Sequence, residues 1–350
     1  MQQLLKKVGV VVIGRNEGQR LKRCLNSLID KTERIVYVDS GSTDGSIEFA
    51  ESLDVDVVSL DMSVPFTMAR GRNTGFIRIF ETMTDTEFVQ FIDGDCELVD
   101  GYLEAAVTAM KERPDIVVVT GRRIERYPEA SIYNQLCDIE WGRNIGEISA
   151  CGGDMMVRPE AFKSAGMFNQ GMIAGEEPEL CLRLRRAGGK IVRIDHDMTL
   201  HDAAIHTFRQ WWRRAVRGGH AYAQGAAMHG RSPERHKVHN VRSAVLWGAV
   251  VPLVAVGSTV AAFKWPWALV CTAMMMLGYA ALSIKIYLKM RKRGFNASQG
   301  RLYAAFCVLS KFPCLLGIMT YWNNRLKGKK SSLIEYKHAA APGSSDQTIG

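Results

Sequence analysis

The sequence predicts an α/β fold with a mostly parallel sheet flanked by helices, followed by a transmembrane helical hairpin and an interfacial helix. Three observations carry that prediction. Continuous apolar runs of strand length alternate with stretches of helical periodicity in the first part of the chain. Polar, glycine-bearing loops follow those runs. Two uncharged stretches of about bilayer length stand together later.

Residues 8–13 form a valine-rich run, the pattern of a strand buried on both faces. The run ends in Gly14-Arg15-Asn16-Glu17, after which Leu21, Cys24, Leu25 and Leu28 repeat at helical spacing. A second buried strand over residues 34–38 ends in Asp39-Ser40-Gly41-Ser42-Thr43-Asp44-Gly45-Ser46, and a helix follows to about residue 53. A third strand fits 55–60. The helix over 67–82 opens with Met68-Ala69-Arg70-Gly71-Arg72-Asn73, and a fourth strand runs from Phe88 into Asp93-Gly94-Asp95. A helix over 101–112 and a strand over 116–120 complete the alternation. Such alternation implies right-handed crossovers and ligands bound beyond the carboxyl ends of the strands, so the polar residues there carry the chemistry.

Asp93 and Asp95 place two carboxylates where a strand stops, and Gly94 lets the backbone bend between them. Together they suit a hard divalent ion that keeps open positions for phosphate oxygens. Asp39 and Asp44 lie at the same sheet edge, either as turn formers and helix caps or as acceptors for a nucleoside's ring N–H and ribose hydroxyls. No G-x-G-x-x-G follows the first strand and no G-x-x-x-x-G-K-[ST] occurs, which argues against a dinucleotide-binding dehydrogenase and a P-loop NTPase.

The net charge of +9 is concentrated late in the chain, which favours an anionic membrane face or phosphate-bearing ligands over nucleic acid. The 8 cysteines are scattered without a C-x-x-C pair, so neither a zinc site nor a disulfide framework is expected, and a reducing compartment is. Residues 1–7 hold no apolar core of signal-peptide length.

The succession Val12-Ile13-Gly14-Arg15-Asn16-Glu17, Val38-Asp39-Ser40-Gly41-Ser42-Thr43-Asp44-Gly45-Ser46, Ala69-Arg70-Gly71-Arg72-Asn73 and Asp93-Gly94-Asp95 resembles family 2 glycosyltransferases of the GT-A nucleotide-diphospho-sugar fold. The resemblance covers about residues 8–217. It implies that Asp95, with Asp93, holds Mg²⁺ or Mn²⁺ against the diphosphate of a UDP-, GDP- or dTDP-linked sugar donor, Asp93 alternatively touching the ribose or the sugar. It further places Asn16, Glu17, Asp39 and Asp44 around the nucleoside, and Arg70 and Asn73 near the donor. Gly152, Gly153 and Asp154, in Cys151-Gly152-Gly153-Asp154, resemble the acceptor-side strand.

Gly175-Glu176-Glu177-Pro178 resembles the family's acidic pair before a helix, with Glu where the second position is usually Asp. Pro178 suits a first helical turn, and the helix dipole favours an ionised carboxylate at the entrance. Glu177 is therefore expected as the base that deprotonates an acceptor hydroxyl with inversion at the anomeric carbon, the choice between Glu177 and Glu176 staying open. The resemblance also makes His201 a further metal ligand. His206, Arg209, Arg213, Arg217 and His220 recur as one cationic helical stripe, and Gln210-Trp211-Trp212-Arg213-Arg214 resembles the Q-x-x-R-W element of membrane-bound members, with Arg214 in place of Trp. Arg213, Arg214 and Arg217 are thus expected either over the diphosphate or, with Trp211 and Trp212, at the lipid headgroups.

The expected organisation is a catalytic domain over 1–237 including a basic helix at 203–225, a hairpin over 238–293 with spans at about 244–263 and 267–288, an interfacial or re-entrant helix within 294–337, and a disordered tail over 338–350. Basic residues flank both ends of the hairpin, which orients the catalytic domain and the C-terminus to the cytoplasm. Lys311 and Pro313 interrupt the third apolar stretch, hence its interfacial reading. A transferase so placed meets soluble donors and a membrane-borne acceptor, expected to be polyprenyl-linked. Two rival readings are a nucleotidyltransferase, for which the loop at residues 14–17 is too short, and a silent membrane scaffold, against which Asp93, Asp95 and Glu177 argue.

Overall fold

The computed structural model describes residues 5–141, 144–329 and 332–336; the tail over 338–350 lies outside the described residues. Packing separates two compact units, one of residues up to Ala130 with Glu140–Ala204, the other of Ser131–Ile139 with Ile205–Tyr336.

The first unit holds strands β1 (Val8–Gly14), β2 (Ile35–Asp39), β3 (Asp56–Ser59), β4 (Phe88–Asp93), β5 (Cys96–Leu98), β6 (Ile116–Glu125), β7 (Gly146–Glu147), β8 (Met155–Val157) and β9 (Lys190–His201). Their order is β3-β2-β1-β4-β8-β6-β9-β5, with β7 on β9. The β3-β2-β1-β4 half is parallel, as the crossovers require. Beyond it β8 runs antiparallel to β4 and β6, so the sheet is mixed.

Helices up to this point are α1 (Gln19–Asn26), α2 (Ser46–Glu51), α3 (Met68–Thr82), α4 (Tyr102–Glu112), α5 (Ile132–Glu140), α6 (Pro159–Ser164) and α7 (Glu176–Arg186), of which α5 belongs to the second unit. Leu21 and Leu25 of α1 and Leu103 and Val107 of α4 pack on one sheet face, while Phe76 of α3, Phe162 of α6 and Leu180 and Leu184 of α7 pack on the other. Covering both faces is what the unbroken apolar strands demand, since neither side of β1 can face water.

Two strands run further than their apolar content suggests. β6 continues past Thr120 and β9 past Asp195, because each supplies the other's backbone partners: Arg123 pairs with Thr199 and Glu125 with His201, through local register shifts. That extension carries polar side chains to the sheet's end.

The second unit contains the basic helix α8 (Phe208–His229) and three helices long and apolar enough to cross a membrane by length and composition: α9 (Val238–Ala261), α10 (Pro266–Lys292) and the stretch Ala297–Leu326. That third stretch breaks at Ser310 into α11 (Ala297–Leu309) and α12 (Lys311–Leu326), because Pro313 has no N–H to give the carbonyl of Leu309. Leu253, Val256 and Leu277 are more than half exposed, a surface suited to lipid. Ser258 and Thr272 join α9 to α10 by a 2.7 Å hydroxyl bond.

α8 packs along α12 at very close range, since a Cβ on Gly219 would lie 2.0 Å from the carbonyl oxygen of Cys314, and one on Gly317 2.0 Å from that of Val216. Trp211, expected among headgroups, is buried edge-on against Phe306, with ring centroids 4.9 Å apart.

In the first unit the tightest helix–sheet approach is at Gly75, where a Cβ would meet Val11 Cγ1 at 2.3 Å and Val38 Cγ2 at 2.9 Å. Gly75→Ala is therefore expected to destabilise this unit by about 1–3 kcal/mol through overpacking, measured by chemical denaturation followed through intrinsic fluorescence.

Candidate active site

The carboxyl ends of β1, β2 and β4 converge, and the loops behind them are tied together before any ligand is considered. Asn16, at φ 52°, accepts the Thr43 N–H on Oδ1 at 2.7 Å and gives its own N–H to Ser42 Oγ at 2.9 Å. Asp44 accepts the Gly18 N–H at 2.8 Å and both donors of Ser46. Asp39 is fully buried, and its oxygens accept Tyr37 Oη–H and the N–H groups of Gly41 and Ser42, each at 2.8 Å. Glu17 pairs with Arg20 at 2.8 Å. These expected nucleoside residues thus shape the edge of a cleft by locking the loop after β1 to the loop after β2.

Asp93 and Asp95 stand at the end of β4, with Gly94 N–H bonded to the Ile13 carbonyl at 2.8 Å. A Cβ at Gly94 would sit 3.0 Å from that same oxygen, so the turn calls for glycine. The two acids do not face one point. Asp93 Oδ1 accepts Arg72 Nη2 at 2.7 Å and its Oδ2 accepts Arg123 Nη2 at 3.4 Å. Burial pushes the Asp93 carboxyl up, but the Arg72 and Arg123 guanidiniums outweigh it and hold the group below the usual carboxylate range.

Arg72 is the hub. Its side chain is 2% exposed, and its Nη1 donates to Glu176 Oε1 at 2.9 Å and to Glu177 Oε1 at 3.4 Å. Burial alone would lower its pKa, and Asp93, Glu177 and Glu176 together raise it, so the guanidinium stays charged. Gly153 exists for this group: a Cβ there would lie 2.0 Å from Arg72 Nη2.

Glu176 and Glu177 open α7, whose cap Gly175 adopts φ 79°. Glu176 is buried with a side chain 1% exposed, whereas Glu177 is 18% exposed. That difference separates the pair, because only Glu177 is accessible to a second molecule.

Asp95 turns the other way. Register pairs Cys96 of β5 with His201 of β9, which brings Asp95 Oδ2 to 3.4 Å from His201 Nε2. His201 Nδ1 lies 3.4 Å from Glu125 Oε2, and the indole of Trp141 packs edge-on at 4.6 Å. Burial lowers the His201 pKa, and the Asp95 charge with hydrogen bonds to Asp95 and Glu125 raises it above its ordinary value overall.

Donor atoms of Asp95, Cys96 and His201 lie within 4.8 Å of one another, as do those of Asp93, Cys96 and Asp154. The first set fits a divalent cation, because His201 Nε2 and an Asp95 oxygen face each other. The second does not: Asp154 Oδ1 accepts the Asp93 N–H at 3.0 Å, and its Oδ2 accepts Arg123 Nε at 2.9 Å and Thr199 Oγ1–H at 2.8 Å.

The remaining expected residues have these surroundings in the structure. Asp154 is wholly buried and braces β4 through the Asp93 N–H. Gly152 is exposed and open, while Gly153 makes room for Arg72. Arg70 donates to the carbonyls of Asp61 and Val64, and Asn73 clamps the Phe168 backbone through both its N–H and its carbonyl. Arg213, Arg214 and Arg217 stand on α8 in the second unit, with the Arg217 guanidinium 5.6 Å from the Tyr336 ring centroid.

Arg72, Arg123 and Glu125 were not anticipated. A signal for Arg72 existed, since Ala69, Arg72, Phe76 and Ile79 form one buried helical face and a cation on such a face must be paired.

A mixed sheet whose parallel strands end in carboxylates, with an acidic helix entrance in the same unit, has the architecture of the GT-A fold. Residues 9–158 match the model of the family Glycosyl transferase family 2. It is 24% identical over 212 residues to glycosyltransferase AglE of Haloferax volcanii, a match covering 57% of this chain and 67% of that protein. It is 27% identical over 233 residues to the pre-mycofactocin glycosyltransferase of Mycobacterium tuberculosis, covering 62% of this chain and 47% of that one. With succinoglycan biosynthesis protein ExoA of Rhizobium meliloti it shares 26% over 202 residues, 53% and 60% of the two chains. The matches thus span from about half to two thirds of these relatives' lengths. Mannosyltransferase PcManGT of Pyrobaculum calidifontis, solved with GDP-Man and Mn²⁺, superposes with a TM-score of 0.56 at 17% identity, over 90% of this chain and 87% of that one, and so shares the fold.

Replacing Arg72 with methionine takes this guanidinium from the buried Glu176 and leaves the half-buried Asp93 with the longer contact to Arg123. Arg72→Met is expected to cost about 3–5 kcal/mol, seen as a lowered thermal midpoint of the purified protein.

Proposed function

We propose that this chain is a metal-dependent, inverting glycosyltransferase that moves a sugar from a UDP-, GDP- or dTDP-linked donor to a hydroxyl of a polyprenyl-linked acceptor at the cytoplasmic face of the inner membrane. The observation that carries the reading is one buried guanidinium, Arg72, joining the strand-end acid Asp93 to the helix-entrance pair Glu176 and Glu177. Donor end and acceptor end of a transfer are thereby held in fixed relation.

Asp95 and His201 would hold Mg²⁺ or Mn²⁺, the latter being the ion bound with GDP-Man in the mannosyltransferase of the same fold. When bound, such an ion neutralises charge on the departing diphosphate. Carboxylates outnumber guanidiniums around Arg72 and Arg123, so the pocket is negative and suits a cation before it suits a diphosphate. The locked loops bearing Asn16, Asp39 and Asp44 form the nucleoside wall, and Asp39 orients loop N–H groups there.

Glu177 accepts the acceptor's hydroxyl proton as the new C–O bond forms and the bond to the diphosphate breaks on the opposite face of the sugar. Glu176, buried against Arg72, keeps α7's entrance in register with Asp93. Gly152 leaves the backbone open for the acceptor.

Membrane placement rests on α9 and α10 as the spanning hairpin and on charge: Arg231, Arg235, Lys237 and Arg242 stand before the uncharged part of α9, and Lys289, Arg291, Lys292 and Arg293 stand at the end of α10 and just after it. The proposed domains are 1–237, 238–293 and 294–337. A polyprenyl-linked acceptor is consistent with a chain that carries both a catalytic unit and membrane-length apolar helices, and ExoA is by name a succinoglycan biosynthesis protein.

A panel of sugar nucleotides, each with and without Mn²⁺, tests the reading by thermal stabilisation. The true donor raises the midpoint only with metal, and a panel in which no member does so refutes it. Glu177→Gln is expected to lower turnover by about 10²–10⁴-fold while leaving that stabilisation intact. Asp95→Asn is expected to abolish the metal-dependent part of the shift, and chelation of the wild type should reproduce its effect.

A further inference from the structure

Three strand ends lie side by side at one corner of the sheet. Residue Cys96 of β5 is in register with His201 of β9, and His201 is in register with Glu125 of β6. The result is a chain of side chains running from Asp95 through His201 to Glu125, with heavy-atom distances of 3.4 Å on each side of the imidazole.

Glu125 is an unusual residue to find at 2% exposure. Its position is set by the backbone, since its oxygens accept the Ala203 N–H at 3.3 and 3.2 Å and the Tyr127 N–H at 3.3 Å. An ionised carboxylate only accepts, so opposite His201 Nδ1 it requires a proton on that nitrogen. Neutral imidazole then has its lone pair on Nε2, the atom aimed at Asp95 Oδ2. Nε2 and Asp95 Oδ2 stand 3.4 Å apart, bridged by a proton when the imidazole is protonated and open to a shared cation when it is neutral. The edge-on indole of Trp141 at 4.6 Å fixes the ring plane in which this happens.

We propose that Glu125 is a positioning residue for the metal site: it selects the His201 tautomer and holds Nε2 toward the cation shared with Asp95. This rests on the metal-dependent reading above. Carboxylates placed behind ligating histidines tune affinity by orienting the ring and raising its basicity. Glu125 stands behind His201, on the side of the ring away from Asp95.

Glu125→Gln discriminates, because an amide of the same size still accepts backbone N–H groups through its oxygen while its NH₂ donates to Nδ1. The proton then moves to Nε2 and blocks the metal. In titrations of the full-length, detergent-solubilised protein with Mn²⁺ alone, followed by calorimetry, E125Q is expected to weaken binding about 10–100-fold. His201→Ala weakens it as well, and adding E125Q to H201A is expected to change nothing more. Wild-type affinity in E125Q, or an equal further loss in the H201A background, overturns the role of Glu125 while leaving the metal reading intact. A wild type that takes up no Mn²⁺ refutes the metal reading itself. Should E125Q not fold, ¹⁵N-histidine NMR of the Mg²⁺-loaded wild type decides: a proton on Nδ1 of His201 supports the assignment, and one on Nε2 overturns it.

Discussion

The catalytic unit depends on one buried cation. Arg72 sits among Asp93, Glu176 and Glu177 with almost no access to water. Taking a guanidinium out of solvent is costly, and a buried ion pair often contributes little net stability. What the arrangement supplies is definition. A planar fork with fixed donor directions matches carboxylates on a strand end and on a helix entrance, so β4 and α7 cannot slide past each other without stranding a charge. The Phe168 ring lies 5.4 Å from the Arg72 guanidinium, and Asn73 pins the Phe168 backbone from the next position of α3. Adjacent residues of one helix thereby secure both the charge and the loop leading toward α7.

A second consequence concerns the two aspartates of Asp93-Gly94-Asp95. Arg72 and Arg123 claim the oxygens of Asp93, so this acid organises the protein, and Asp95 is the one presented to His201. Spacing alone cannot distinguish those roles, because a tight turn can aim both carboxylates at one point or splay them. The antiparallel pairing of β5 with β9 makes the choice by carrying Asp95 toward the last residue of β9.

Strands β1, β2 and β4 and their helices were legible because both sheet faces are covered, which leaves unbroken apolar runs and single helical stripes. The ends of β6 and β9 were not. The strand expected over 116–120 stops short of Arg122, Arg123 and Glu125, since a strand leaving the core loses the hydrophobic signal while keeping its backbone ladder. For the same reason the braces Arg123 and Glu125 stayed hidden although His201, which they flank, was expected. Motif resemblance drew attention to Arg70 and Asn73 on α3, while the position between them at an apolar-face step holds the hub. Asp154 was singled out by resemblance to an acceptor-side strand, and its burial with long-range hydrogen bonds to Asp93, Arg123 and Thr199 has no local sequence signal.

The same physics governs the apolar half in a different solvent. Between helices in lipid the hydrophobic effect gives no drive to associate, so close backbone approach and hydroxyl bonds must do so. Gly219 and Gly317 let α8 and α12 touch backbone to backbone, and Ser258 with Thr272 couples α9 to α10. Because α8 is joined to α12 in this way, the basic residues of α8 are attached to the apolar helices rather than borne on a free arm. Charge and apolar surface are thus built into one body, which is what a unit needs if it is to sit at a boundary between lipid and water and not merely near it.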